Sequence, residues 1–421
     1  MNRLRVTSGP VLALVAGWLA TRALMLGLLV FGSAHVLGGG SVSREVWRLY
    51  FHWYGVLSHG TFPTHDTLWQ YPPGAGLVLL APGLLPWLSY FEAFVLLTLV
   101  ADAAVTAALA VAGRRAGRSL RGAALWVGGL PLLLHLPLAR YDVQVTALGV
   151  AALLALGRSP RAAGVFGALG AVVKVWPALV LLGVSRGRAT RSAWSWATAA
   201  GCASLAVLAV LFSDPFGFLR EQGGRGVQIE SLGGTALNLA RHAGWPGRVR
   251  YQYGSMELVG PHVHTVATAS LALTAAAFVL LVVWRLRARH FSPATPYDAA
   301  LAAVLLFTVT SRVISPQYLI WLLGLAAVCL TSRHTGQRPV AVLILVSTGL
   351  SSLIFPLTYG EVIAGTWPGC LLTLARSGTL LAAAVLSFVR LWRSTRPPVN
   401  ASATRAARNA GRVPDPVLTR S

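Results

Sequence analysis

The residues best suited to chemistry in this 421-residue chain are a few carboxylates and cations set among aromatic side chains. Glu45 stands in SREVWRLYFHWYG. Asp66, Trp69 and Tyr71 share THDTLWQYPPGAG, and Arg140 and Asp142 share LPLARYDVQVT. Lys174, the one lysine, sits in GAVVKVWPAL. Arg225 and Glu230 follow in LREQGGRGVQIES, and Arg312, Gln317 and Tyr318 in SRVISPQYLIW. A carboxylate can take a proton from a hydroxyl, and carboxylates among ring faces suit a sugar. Arginine and lysine suit a phosphate. The chain has no paired DxD carboxylates, no histidine cluster at ligand spacing and no Walker glycine motif, so no ATP site, no metal and no cofactor are expected.

Each group also has a plainer reading. Lys174 can be a lysine snorkelling from a helix end. Arg140 and Asp142 can be an interfacial arginine and a helix cap. The glycines around Arg225 make a solvated loop as readily as a mobile lid. Arg312, Gln317 and Tyr318 can be the caps of a turn.

Long apolar runs must position these residues. The chain is 55% hydrophobic and only 11% charged, against about 25% charged in soluble proteins. Runs at 10–32, 91–112, 122–137, 143–157, 162–174, 176–185, 194–213, 263–284, 297–311, 316–331, 338–356 and 366–391 predict an all-α polytopic membrane protein of about twelve transmembrane helices. Several are shorter than the ~20 residues of a full crossing, so they are expected to tilt, to be buried, or to turn back. Residues 74–90 contain Pro82 and Pro86 and are expected to form an interfacial or re-entrant segment.

The net charge of +23 does not point to nucleic acid, because the arginines fall in short loops between apolar runs. With residues 74–90 left out, all seven arginine loops lie on one side, which the positive-inside rule makes the cytoplasm. Both termini are then cytoplasmic in a multi-pass protein of the cytoplasmic (plasma) membrane. The outer side collects a first loop at 33–90, a long loop at 214–262 and eight of the twelve carboxylates. Residues 1–392 are expected to be one membrane domain, and 393–421 a disordered basic tail. Asp102 lies inside a run and is expected to partner a polar group of a neighbouring helix.

Five stretches carry a resemblance: WYGVLSHGTFPTHDTLWQYPPGAG, ARYDVQVTALGVAALLAL, GALGAVVKVWPALVLLG, RGVQIES and SRVISPQYLIWLLGLA. In order and spacing the chain resembles glycosyltransferase family 87, the actinobacterial polyprenyl-phosphate-mannose-dependent mannosyltransferases of the GT-C superfamily. The resemblance runs from about residue 10 to about 390. It implies a GT-C-type bundle with juxtamembrane helices in the first outer loop. It implies a polyprenyl-phosphate-linked sugar donor, a glycolipid or glycan acceptor, membrane lipids as surroundings, and inverting transfer without a metal. Glu45 matches the family's catalytic aspartate, five residues before a tyrosine, and is one methylene longer. Asp66 matches an acidic residue before the Tyr-Pro-Pro motif. Lys174 matches a lysine facing the donor phosphate, with Arg140, Arg225 or Arg312 in support. Some branches carry a histidine pair where this chain has Gln317 and Tyr318, which implies a different acceptor or donor preference. A flippase of lipid-linked sugars and a non-catalytic assembly partner stand as the alternatives. The first would favour an internal repeat, and none is found.

Overall fold

The computed structural model describes residues 9–31, 39–64, 66–221 and 224–396, with the side chains of all but 39–41 and 220–221. Most of the expected tail therefore lies outside the described residues. The chain is a polytopic helical membrane protein. Among the described residues, six helices are long and apolar enough to cross a membrane: Gly9–Phe31, Tyr90–Gly113, Arg188–Leu211, Val263–Arg287, Arg338–Leu357 and Trp367–Ser394. The Asp142–Ala155, Pro160–Val173, Thr295–Thr310 and Tyr318–Leu330 helices are shorter.

Two expected crossings are not continuous helices. The run at 122–137 is a helix over Arg121–Gly129 followed by a tight turn over Leu130–Leu133, where Pro131 enters. The run at 176–185 is a tight 3-10 turn over Trp176–Leu181 with Pro177 near its start. Residues 74–90 form a helix only over Gly74–Leu80, tightened through Ala81–Leu84, so the prolines end it well short of a crossing.

The chain-order labels used below are α1 (Gly9–Phe31), α2 (Tyr90–Gly113), α3 (Arg121–Gly129), α4 (Asp142–Ala155), α5 (Pro160–Val173), α6 (Arg188–Leu211), β1 (Val227–Gln228), α7 (Leu232–Arg241), β2 (Arg248–Gln252), β3 (Ser255–Val259), α8 (Val263–Arg287), α9 (Thr295–Thr310), α10 (Tyr318–Leu330), α11 (Arg338–Ser352) and α12 (Trp367–Ser394). Helix α10 is the centre of the bundle. Every residue from Leu319 to Cys329 is buried, and α3, α4, α9 and α11 pack around it. At about 1.5 Å per residue its thirteen residues rise only about 20 Å. An end left at membrane depth is tolerated only where protein covers it or a cavity meets it. The short helices therefore stop inside the bundle, and the space above their ends becomes a chamber. Small residues allow the tight packing this needs. A side chain on Gly324 would collide with Thr146 of α4, and one on Gly164 of α5 with the Ala193 carbonyl of α6.

Among the described residues, arginine loops at the far end of α10 and its neighbours bond to one another. Arg118 pairs with Ser332, Arg186 donates to the Leu286 carbonyl at 2.8 Å, and Arg289 N donates to the Thr395 carbonyl at 3.0 Å. The long loop at 214–262, read around Arg225 as a solvated loop or a mobile lid, holds the small antiparallel sheet β1-β3-β2 and the amphipathic helix α7.

Asp102 has the partners expected of it. Arg22 of α1 grips it with Nε and Nη2 at 2.7 Å each, Trp18 donates at 2.6 Å and Trp126 at 2.7 Å. This clasp joins α1, α2 and α3. Removing one partner strands the other charge without water, a loss of roughly 3–5 kcal/mol. Asp102→Ala is expected to lower the unfolding temperature in mild detergent by several degrees, and Asp102→Leu with Arg22→Met to recover most of the loss. Equal melting of Asp102→Ala and the native protein would refute the clasp.

Candidate active site

The chamber has a volume of about 1020 Å³. Its walls come from the first loop, the end of α5, the sheet, the turn before α10 and residues 355–359. Among the residues singled out from sequence, Glu45, Tyr71, Arg140, Lys174, Arg225, Glu230, Arg312, Gln317 and Tyr318 all line it.

Glu45 opens a π-helical stretch, Glu45–Tyr50, between the helices Gly39–Arg44 and Phe51–Leu57. Tyr50 at its end and Trp53 in the helix that follows face the core, at 1% and 0% exposure, while Glu45 lines the chamber. Its Oε2 meets Arg140 Nη2 at 2.7 Å. Arg140 is also held from behind, donating through Nη1 to the carbonyls of Ala139 at 2.8 Å and Val42 at 3.2 Å. Burial opposes the guanidinium charge, but Glu45, Tyr50, Tyr71 and Asp142 together outweigh it and raise its pKa. The phenol of Tyr71 lies between the two acidic centres. Burial first, then Glu45 and Asp142, push it far above the ordinary tyrosine range, so it stays a neutral hydroxyl.

Lys174 follows directly on α5, its backbone extended at φ −157°. Its Nζ donates to Asp142 Oδ1 at 2.6 Å, and Trp321 Nε1 donates to the same oxygen at 2.6 Å. Four rings surround the ammonium, with centroids at 4.7 Å for Tyr141, 4.8 Å for Trp321, 5.8 Å for Tyr318 and 6.0 Å for Tyr71. The side chain is 14% exposed, so it does not snorkel. Asp142 is not the cap of α4 either, since its Oδ1 is committed to Lys174 and Trp321. The result is a fixed positive pole in low dielectric that needs no reorganisation to meet an anion.

The sheet builds the opposite wall. Glu257 of β3 is fully buried and accepts from Arg225 Nε at 3.0 Å, Gly226 N at 3.0 Å and Gln252 at 3.1 Å. Arg312 Nη1 donates to the Arg225 carbonyl at 2.8 Å, and Ile314 N donates to Gln228 Oε1 at 2.7 Å. These bonds tie the sheet to the turn before α10. Gln317 and Tyr318 begin α10 at that turn. Among the described residues, no three His, Cys, Asp or Glu side chains gather as metal ligands would.

Three sequence-selected residues do not line the chamber. Asp142 lies behind Lys174. Asp66 accepts from Trp53 Nε1 at 2.8 Å and from Leu68 N at 2.9 Å. Trp69, 1% exposed, packs edge-on against Trp53 and Tyr71. From the Asp66–Pro73 stretch, Leu68, Gln70, Tyr71 and Pro72 reach the wall, while Asp66 and Trp69 buttress Tyr71. Sequence reading passed over Tyr251, Met256 and Tyr359 as lining residues. For the first two the signal was present: RVRYQYGSMELV alternates around a Tyr-Gly turn, the pattern of a hairpin.

The family model for glycosyltransferase family 87 matches residues 69–316, more than half of the chain. No curated protein matches it. Among solved structures, the chain is similar to the crystal structure of ArnT from Cupriavidus metallidurans bound to undecaprenyl phosphate. The identity is 13%, covering 97% of this chain and 82% of that one, with a TM-score of 0.46.

Glu230 provides a pH test of the chamber wall. It is 1% exposed, and its Oε2 has no hydrogen-bond partner among the described residues. Arg376 Nη2 stands 3.6 Å from that oxygen and instead donates to the Glu230 carbonyl at 2.5 Å. Burial, partly offset by Arg376, pushes the carboxyl up to about 7 from an ordinary 4.5. The folded protein therefore holds this proton more tightly than the unfolded chain does. The associated stability is complete below pH about 4.5 and is lost as pH rises through about 7. Unfolding temperatures in detergent across this window are expected to fall more steeply for the native protein than for Glu230→Gln. Parallel slopes would show that Glu230 titrates normally.

Proposed function

The chain belongs to glycosyltransferase family 87, and from that premise we propose that it transfers a hexose, mannose in our reading, from a polyprenyl phosphate to a glycolipid or glycan. The reaction takes place in the chamber, on the outer side of the cytoplasmic membrane, with both termini in the cytoplasm. The observation that carries this reading is the convergence of Glu45 with Arg140, Lys174, Arg225 and Arg312 on one cavity. A proton acceptor and several cations share a space large enough for a sugar and a phosphate.

In this mechanism Glu45 takes the proton of the acceptor hydroxyl. That oxygen bonds to the anomeric carbon on the face opposite the phosphate, the carbon–oxygen bond to phosphate breaks, and the configuration inverts. The electron pair leaves with polyprenyl phosphate. Lys174 and Arg140, with Arg225 and Arg312, balance the charge that grows on it, which is the part a metal plays elsewhere. Asp142 and the aromatic cage hold Lys174 in place for this. Asp66 and Trp69 contribute by positioning Tyr71.

The test is transfer of radiolabelled mannose from polyprenyl-phosphate mannose in membranes, with EDTA present. The native chain is expected to label a new glycolipid or glycan, and Glu45→Gln to be slower by roughly 10²–10⁴-fold. Full turnover by a properly inserted Glu45→Gln protein would remove Glu45 from the role. Loss of native activity in EDTA would reinstate a metal. Movement of unaltered lipid-linked sugar between leaflets, without transfer, would favour a flippase.

A further inference from the structure

Apart from Glu257, which holds Arg225, the hairpin of β2 and β3 supplies no side chain to the mechanism above, yet it lines the chamber. Its strands pair from Arg248 with Val259 to Gln252 with Ser255, so Tyr253 and Gly254 alone make the connection. Both have positive φ, 51° and 74°, the signature of a type I′ turn. Glycine is at home in that conformation, but a tyrosine is not. Tyr253 lies against Gly224, where a Cβ would sit 2.7 Å from its hydroxyl. The strained residue thus seats the hairpin tip on the segment that carries Arg225.

Directly opposed residues of an antiparallel pair share a face. Val249 with Leu258 and Tyr251 with Met256 therefore form one face of the hairpin. Leu258 is buried in a small core with Val227, Ile229 and Leu237. Val249 and Met256 pack against that core, and Met256 also lines the chamber wall. Tyr251, opposite Met256, lines the chamber and remains 54% exposed. Of the four residues on this face, the Tyr251 ring alone extends past the core. The phenol of Tyr251 is raised by burial and then by Glu45, with Arg140 opposing. Tyr251 and Glu45 line the same chamber, and Tyr251 is not among the rings that enclose Lys174, which are Tyr71, Tyr141, Tyr318 and Trp321.

We propose that Tyr251, with Met256, is the platform on which a sugar ring of the acceptor stacks, so that the hairpin sets which glycan is used. This rests on the transferase reading. A tyrosine offers an apolar ring to the C–H face of a hexopyranoside and a hydroxyl to its rim. Glu45 must reach the hydroxyl that attacks. An exposed ring that shares the chamber with Glu45 and stands outside the cage of Lys174 is placed for the acceptor's sugar, while the donor's phosphate belongs with Lys174.

Two measurements on the full chain in lipid nanodiscs test this with octyl α-mannopyranoside and octyl β-glucopyranoside, both below their micelle concentrations. The first is equilibrium binding without donor, by saturation-transfer NMR. The second is transfer of label from polyprenyl-phosphate mannose. Tyr251→Ala is expected to weaken binding of the preferred glycoside and raise its KM by about three- to tenfold, the scale of one aromatic contact. The donor KM should stay within about twofold. Tyr251→Phe, which keeps the ring and guards against a folding artefact, is expected to bind close to native. Unchanged binding in Tyr251→Ala, a change confined to donor KM, or a native protein that binds neither glycoside would overturn the platform. If the native protein binds glycoside but transfers nothing, the transferase reading fails, and the binding comparison still decides the role of Tyr251.

Discussion

The ion pair between Lys174 and Asp142 is the contact on which the chamber depends. It joins the first residue of α4 to the residue just past α5, and Trp321 brings α10 to the same carboxylate oxygen. All three helices are too short to cross a bilayer unaided. Both side chains are taken out of water, at 14% and 1% exposure, where a lone ammonium or carboxylate would cost several kcal/mol. Pairing lowers that cost, and the ring cage replaces part of the lost hydration. The pair therefore lets three helix ends stop together inside the bundle. The space above those ends is the chamber.

Two other cations of the wall follow the same rule. Arg140 faces Glu45, and Arg225 faces Glu257, each with its carboxylate set to one side or behind it, while Arg312 donates to the Arg225 carbonyl. Pairing of this kind keeps the wall folded when empty, because it spares these buried charges the cost of standing alone. It can still present positive charge to a ligand, since a carboxylate at one side of a guanidinium or ammonium leaves other N–H donors pointing inward. A wall of uncompensated cations would attract a phosphate more strongly but would repel itself in the resting state.

Much of this was legible in the sequence, for physical reasons. The long apolar runs and the arginine loops between them follow from the cost of backbone and charge in hydrocarbon, and both leave one-dimensional patterns. Glu45, Arg140, Lys174 and Arg312 stood out because charge is rare in such a chain. Pairings were not legible. Nothing in the spacing of Asp142 and Lys174, 32 residues apart, says that they touch. Asp66 and Asp142 both stood out as acids expected on the outer side, and both were expected to bind substrate. One proved to anchor an indole and the other to hold an ammonium, a distinction decided by which side chains the fold brings opposite them. The runs at 122–137 and 176–185 were misleading for a related reason. Hydropathy reads burial, and a segment buried by protein is as apolar as one buried by lipid.

The hairpin was hidden by a different effect. A five-residue strand has too few residues to stand out against long helical runs, and its apolar face is half the length of a helix turn pattern. Yet it is the element whose local rule is broken, with a tyrosine where a type I′ turn favours asparagine or glycine. Local rules are most often broken where function demands a particular side chain in a particular place. The helical frame must satisfy the membrane, which narrows its choice of residues. The small sheet is not one of the long apolar helices, and its strands carry arginine, glutamine and serine beside tyrosine and methionine. On the proposed reading, variation in acceptor choice among proteins built on this frame should therefore concentrate in the sheet, and the cation wall should vary less.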